Sequence, residues 1–345
     1  MTAGSLLAQP VLADTAAKVG IAAITRNDVL GQSGGAERTL LSGGALFQGD
    51  VIRTGKTSSA ELMLFDQTNL KIGPSSNVSI DKFVYEPEKA TGAVGIGVTK
   101  GSMRFVTGAQ DPLNYEIKTA VASIGLRGTI LNIVATEDAL AVVLADGKAI
   151  VTGKDGKTST MEAKGNIVLI GPEGTVDQDQ SLTNAVAALV QGSDDPAATA
   201  AQILAAIGAV GGAASVQNLQ DIAAGIAQAG VGADDLARAV SDYVQGSVDQ
   251  AAAASDIIGG ARYLNDDLKS ATGRGLADAS SEIGKTDLTA AAAIDVAVEE
   301  SGDSRLQSSY TQQKDSTRGI YSNGGGDNLL QSQNQNQQQE QRSPN

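Results

Sequence analysis

The chain contains no cysteine, no histidine and no tryptophan, and aromatic residues make up only 3% of its 345 residues. Each absence removes a class of chemistry. Without cysteine there are no disulfides, no thiolate metal sites and no thiol nucleophile. Without histidine the commonest general base, proton shuttle and transition-metal ligand is missing, so a Ser-His-Asp triad and a histidine zinc site are both excluded. Without tryptophan a sugar-binding cleft lacks its usual stacking platform. A basic stripe is lacking too. Residues 1–176 carry 16 Lys and Arg against 17 Asp and Glu, and the remainder carries 9 against 22, within a net charge of −14. No surface is marked for phosphate neutralisation, which excludes nucleic acid as the expected partner.

What the sequence does contain begins with alternation. The segment Leu46–Asp81 holds three short runs, Ala60–Leu64, Asn69–Ile72 and Asn77–Ile80, in which apolar and polar residues alternate. A period of two gives a strand one apolar face. Gly49-Asp50, Thr54-Gly55, Asp66–Asn69 and Gly73-Pro74 interrupt the runs where the chain must reverse. Val19–Ile24, Arg38–Leu41, Phe83–Tyr85, Met103–Val106, Tyr115–Thr119, Ile130–Val134 and Ile167–Ile170 read as further strands, with Gly31–Gly35 as a flexible loop. Asp146-Gly147 and Asp155-Gly156 lie between alternating runs and predict two hairpins. Gly95 and Gly97 give the Thr91–Val98 strand a bare face that a neighbouring backbone could approach. The total is about fourteen strands over residues 19–170, the density of a β-roll, sandwich or solenoid.

From Gly174 the composition changes. Asp177–Gln180 reads as a linker, and residues 176–300 as an Ala/Gly/Asp-rich helical region. Ile203, Ile207 and Val210 share a face, as do Leu236, Val240, Tyr243 and Val244. Asp221, Asp234, Asp235 and Asp287 are expected near helix N-termini, where carboxylates are favoured. Glycines at 208, 211, 212, 225, 230, 232, 259 and 260 are expected to keep the helices short or frayed. Ala197–Val216 is uncharged and long enough to span a bilayer, but its alanine and glycine content argues against insertion, so no transmembrane span is expected. The acidic residues do not form an EF-hand pattern, and no metal or cofactor site is expected. Residues 301–345 end in glutamine- and asparagine-rich sequence and are expected to be a disordered tail. Residues 1–18 read as a lead-in, with Leu6–Ala13 resembling the remnant of a signal peptide, which points to export.

Several motifs fall in one order: Leu46–Gly55 (LFQGDVIRTG), Ala60–Phe65 (AELMLF), Leu70–Ser76 (LKIGPSS), Lys100–Phe105 (KGSMRF), Ile117–Thr119 (IKT) and Gly125–Thr129 (GLRGT). In order and spacing this set resembles the FecR domain family over about residues 45–152. The resemblance implies an all-β, non-catalytic domain, here residues 19–175, working on the outer side of the bacterial inner membrane, in the periplasm or secreted. Named members of the family relay an iron-siderophore signal from an outer-membrane receptor to a sigma factor. Carried over by position, Gly49, Asp50, Thr54, Arg127, Gly128 and Thr129 are the signature residues, expected to be turn and strand-end positions without catalytic, cofactor or metal roles. Arg127 could also serve as an anion site, although a tie to nearby carbonyls or a carboxylate is favoured. The chain is expected to lack a cytoplasmic anti-sigma segment and a receptor-signalling domain. The leading functional expectation is therefore an exported binding module for a protein or cell-envelope polysaccharide. The alternative is a diverged periplasmic regulator of iron or envelope-stress signalling. A third reading, glycoside hydrolysis with Asp50 or Asp66 as acid and base, is disfavoured. The oligomeric state is left open.

Overall fold

Alternation in the first half is realised as a single hydrogen-bonded sheet of fourteen strands. The computed structural model describes residues 17–86, 88, 91–174 and 181–322. The strands are β1 (Lys18–Arg26), β2 (Val29–Ser33), β3 (Ala36–Thr39), β4 (Ala45–Phe47), β5 (Val51–Thr54), β6 (Ser59–Leu64) and β7 (Asn69–Ile72). They continue as β8 (Asn77–Glu86), β9 (Thr91–Val106), β10 (Tyr115–Thr119), β11 (Ala122–Ala135), β12 (Leu140–Gly153), β13 (Thr158–Met161) and β14 (Ile167–Ile170). The main path runs β13-β12-β11-β10-β9-β7-β6-β1-β4. Among the described residues only β9 and β10 pair in parallel, and every other pair is antiparallel. A solenoid stacks its strands in parallel coils, so this reversal of direction rules the solenoid expectation out.

The long strand β9 organises the sheet. Its first part pairs with β8 and β10, and its last part with β7 and β11. The change of partners falls at Gly101, which has φ +96° and lies so close to Ser76 that a Cβ would stand 2.4 Å from the Ser76 Cα. The sheet thereby wraps around one apolar core built from alternate residues such as Leu62, Leu70, Ile80, Ile96, Phe105, Ile117 and Leu131.

Asp146-Gly147 does not turn a hairpin. Strand β12 runs straight through it, and β11 folds back onto β12 at Thr136–Ala139 instead. Gly147 at φ +81° and Gly128 at φ +60° form a bulge, and a Cβ on Gly147 would stand 1.8 Å from the Gly128 carbonyl oxygen. A glycine with positive φ serves a bulge as well as a turn, so the dipeptide does not distinguish the two. Asp155-Gly156 does reverse the chain, between β12 and β13. The expected loop at Gly31–Gly35 is mostly strand, with the reversal confined to Gly34-Gly35. The bare face at Gly97 accommodates the Ser79 side chain, whose Oγ lies 2.3 Å from where a Cβ would be, not a backbone.

Eight helices follow among the described residues: α1 (Leu182–Gln191), α2 (Pro196–Gly208), α3 (Val216–Gln228), α4 (Ala233–Gly246), α5 (Gln250–Ala261), α6 (Asp266–Ile283), α7 (Leu288–Glu300) and α8 (Ser304–Ser322). Helices α1 and α2 pack on one sheet face, and the others build out from them. Strand β12 shows why. Leu140, Val142 and Leu144 enter the sheet core, while Ala141, Val143 and Ala145 join a second core shared with the helices. Helix α2 lies at the centre of that layer, against α1, α4, α5 and the outer faces of β9, β11 and β12. Ala197 and every residue from Thr199 to Ile207 are buried. A helix apolar all round belongs inside a core, which explains the uncharged run from Ala197. Among the described residues no helix is long and apolar enough to cross a membrane.

Several helical glycines are close-approach positions, contrary to the expectation of fraying. A Cβ on Gly208 would stand 1.7 Å from the Asp256 carbonyl oxygen, on Gly260 2.1 Å from that of Leu204, and on Gly225 2.6 Å from that of Thr183. Small residues let backbones cross at short range, so alanine and glycine replace bulky packing. The helices are capped by Asp195, Ser215, Asp249, Asn265 and Asp287, each accepting a backbone N–H. Asp287, Asp234 and Asp235 lie at helix starts as expected, whereas Asp221 sits inside α3. The helical region continues beyond residue 300: Leu306 and Tyr310 of α8 are buried against α6. The rest of the expected tail, the linker at Asp177–Gln180 and the signal-like Leu6–Ala13 lie outside the described residues.

Replacing Gly208 with Ala forces backbone apart and is expected to lower unfolding stability by about 2–3 kcal/mol in urea. Gly212→Ala, where nothing lies within 4 Å, should change it by less than about 0.5 kcal/mol.

Candidate functional site

The signature positions bind the sheet to itself. Gly49, at φ +83°, turns the chain into β5 and donates its N–H to the Ile80 carbonyl. Asp50 is fully buried. Its carboxylate accepts two hydrogen bonds from the Arg38 guanidinium, at 2.9 and 2.5 Å, and one from the Phe47 N–H at 2.8 Å. Thr54 donates from its hydroxyl to the Gly73 carbonyl at 2.7 Å and accepts the Ser76 N–H at 2.9 Å. Thr129 donates to the Lys148 carbonyl at 2.5 Å and accepts the Arg127 N–H, fixing the bulge beside Gly128. The Arg127 side chain is exposed and forms no hydrogen bond or ion pair with the described residues.

Asp66 is likewise fully buried and has no cation paired with it among the described residues. It accepts hydrogen bonds from the Thr68 N–H and hydroxyl, the Gln110 side-chain amide and the Tyr115 hydroxyl, all between 2.8 and 3.0 Å. Burial, more than this network, pushes the Tyr115 phenol up to about 12. Donors arranged around a carboxylate substitute for water.

Three clefts open along the boundary between sheet and helices, with volumes of about 530, 480 and 280 Å³. In the two larger ones opposite charges pair directly. Lys56 lies 3.6 Å from Asp195, Lys100 lies 3.0 Å from Asp194, and Arg238 pairs with Asp235. The smallest differs. Its floor is a row across the sheet, with Lys71 of β7 in register with Arg104 of β9, and Arg104 in register with Asn132 of β11. Its roof includes Asp256 of α5 and Tyr243 of α4. Arg104 donates to the Asn132 Oδ1 at 3.0 Å, and Asn132 donates in turn to the Ala206 carbonyl in the last turn of α2 at 3.1 Å. Ser59 donates to the Gly246 carbonyl at the end of α4, and Gln202 to the Pro74 carbonyl. The last carbonyls of a helix have no partner within it, so sheet side chains complete the helix ends. The Asp256 carboxylate forms no hydrogen bond or ion pair with the described residues. Burial pushes its carboxyl up to about 6, opposed by Arg104 and Lys71 and reinforced by Asp249. Tyr243 is raised as well, chiefly by burial.

Residues 50–150 match the family model described as FecR protein. This stretch is a FecR domain. Strands β5 to β11 lie wholly within it, and so do Asp50, Thr54, Asp66, Arg104 and Asn132. Outside the FecR domain are β1–β4, the last strands and all eight helices. No curated protein matches the chain. Among solved structures, two crystal structures of a candidate anti-sigma factor from Parabacteroides distasonis, at 1.65 and 2.50 Å resolution, are similar at 14% identity with TM-scores of 0.30 and 0.29. The similarity covers 37% of this chain and only 57% and 56% of those chains.

The sequence reading singled out Asp50, Asp66 and Arg127 in the FecR domain but missed Lys71, Arg104, Asn132 and Asp256. A signal was present in Asn132, a polar residue inside the apolar run Ile130–Val134. The cleft itself needs α5 laid over β9, a contact between segments about 150 residues apart, and no local pattern encodes it.

Two outcomes follow from these contacts. Arg38→Ala leaves the buried Asp50 charge with only the Phe47 N–H and should cost about 3–5 kcal/mol in urea unfolding. Asp50→Asn should cost less, about 1–2 kcal/mol, because the Arg38 side chain is 32% exposed and can reach water. For Asp256 the folded value, about 6, lies above its ordinary 3.8. Its contribution to stability is therefore complete below about pH 4 and is lost as pH rises through about 6, with Lys71, Arg104, Asp249 and Tyr243 as the groups facing it. Asp256→Asn should raise stability by about 1–3 kcal/mol at about pH 7.5 and flatten that part of the pH profile.

Proposed function

We propose that the protein is a non-enzymatic FecR-type regulator of the bacterial envelope, relaying a signal by binding a protein partner. The FecR match over residues 50–150 carries this reading. The carboxylates that a hydrolase would need support it from the other side. Asp50 is held by Arg38, Asp66 is surrounded by donors, and neither lines the clefts at the sheet–helix boundary. General acid–base catalysis requires a group that reaches the substrate. A periplasmic or secreted location belongs to the same proposal, and so does an iron or envelope-stress input.

Deletion of the gene in its own bacterium should change the expression of a defined set of genes. The wild-type chain should restore that set, and a chain carrying Arg38→Ala, which removes the partner of Asp50 at the edge of the FecR domain, should not. An unchanged transcriptome under iron limitation and envelope stress would count against regulation. Fractionation that leaves the protein in the cytoplasm would count against the location.

A further inference from the structure

The smallest cleft presents opposite charges that do not meet. Arg104 and Lys71 rise from the sheet floor, Asp256 descends from α5, and none of the three forms an ion pair with a described residue. They are close enough for both cations to act on the Asp256 carboxyl. Lys71 is exposed, but Arg104 and Asp256 are half-buried, and half-buried charges are costly unless something completes them. The neighbouring clefts do so with direct salt bridges, and this one does not.

A second observation lies on the same floor. The Ser102 hydroxyl is buried, at 8% residue exposure, and has no hydrogen-bond partner among the described residues. Ser102 lines the cleft beside Gly73, whose missing Cβ would stand 2.2 Å from the Ser102 Oγ. Any side chain at position 73 would collide with that hydroxyl. A buried polar atom without a partner calls for a ligand or an ordered water. At about 280 Å³ the cleft has room for roughly nine waters of ~30 Å³ each, the scale of one small organic molecule.

We propose that this cleft binds a small zwitterion of the α-amino-acid class, its carboxylate on Arg104 and Lys71 and its ammonium on Asp256. A zwitterion answers both walls at once. A lone anion would face Asp256, and a lone cation would face Arg104 and Lys71. The planar guanidinium suits a carboxylate, Asn132 holds that guanidinium in place, and Ser102 supplies a further hydrogen bond. This inference stands apart from the regulator reading: a binding measurement on the purified chain does not depend on what the protein regulates.

The test is calorimetric titration of the full chain with glycine, L-alanine, L-serine and L-glutamine, with acetate and methylammonium as single-charge controls. The expected result is saturable binding of at least one amino acid, at least about tenfold tighter than either control. Arg104→Gln and Asp256→Asn should each weaken it about tenfold or more, and Ser102→Ala about threefold. Ser102→Ala removes only an unpartnered hydroxyl, so its fold should be intact by circular dichroism. Asp256→Asn separates binding from stability, because it should melt higher than wild type yet bind worse. No saturable binding by any of the four up to about 10 mM overturns the proposal. So does equal binding by a single-charge control, or binding that all three substitutions leave unchanged.

Discussion

Strand β12 has no solvent face between Leu140 and Ala145, and the rest of the architecture depends on that. One set of its side chains closes the sheet core. The other set, with Val134 of β11, must be covered by something outside the sheet. Helix α2 is that cover, and its lack of any charged side chain between Pro196 and Gly208 is the complementary half of the same constraint. At about 25 cal/mol per Å² of apolar surface, a helix buried on every side contributes several kcal/mol that neither layer gains alone. The FecR domain and the helices are therefore two layers on a shared apolar seam.

The helical layer is built from alanine and glycine more than from large side chains. That choice trades contact area for proximity. At Gly208, Gly225, Gly260 and Gly275 one helix backbone lies against another, and small residues are the only ones that fit. Polar pins then fix the register. Asn132, Ser59 and Gln202 each hold a carbonyl across the boundary, two of them at helix ends that would otherwise be unsatisfied. The polar cleft beneath α5 interrupts this seam. It is where the two layers meet over charged residues instead of apolar ones.

How much of this the sequence carried depends on range. Period-two alternation placed the strands of the first half, because a side chain's face is set by its immediate neighbours. The helices of the second half were equally local, down to Asp287 as a cap. Glycine was the ambiguous letter. At Gly147 a positive φ serves a bulge where a hairpin was expected. At Gly208 the absent side chain serves a helix crossing where fraying was expected. Positive φ and the lack of a Cβ are both properties of the residue, but which one matters is decided by a distant partner. The same holds for Arg104 and Asp256, which are unremarkable singly and acquire meaning only when α5 is laid over β9. Asp50 was noticed as a turn residue, whereas its bond to Arg38 twelve positions earlier was not, since either could have found other partners.

The two-faced character of β12 also sets an order of events during synthesis. The chain is made from its N-terminus, and about fifty residues separate Ala145 from the start of α2. For that interval the outer faces of β11 and β12 have been made but their lid has not. Uncovered apolar strand surface is what promotes misassembly between nascent chains. The pairing of β11 with β12 is local and fast to form, so the sticky surface arises early and waits. A chaperone that shields it, or passage across a membrane before folding begins, would bridge the gap until α2 arrives.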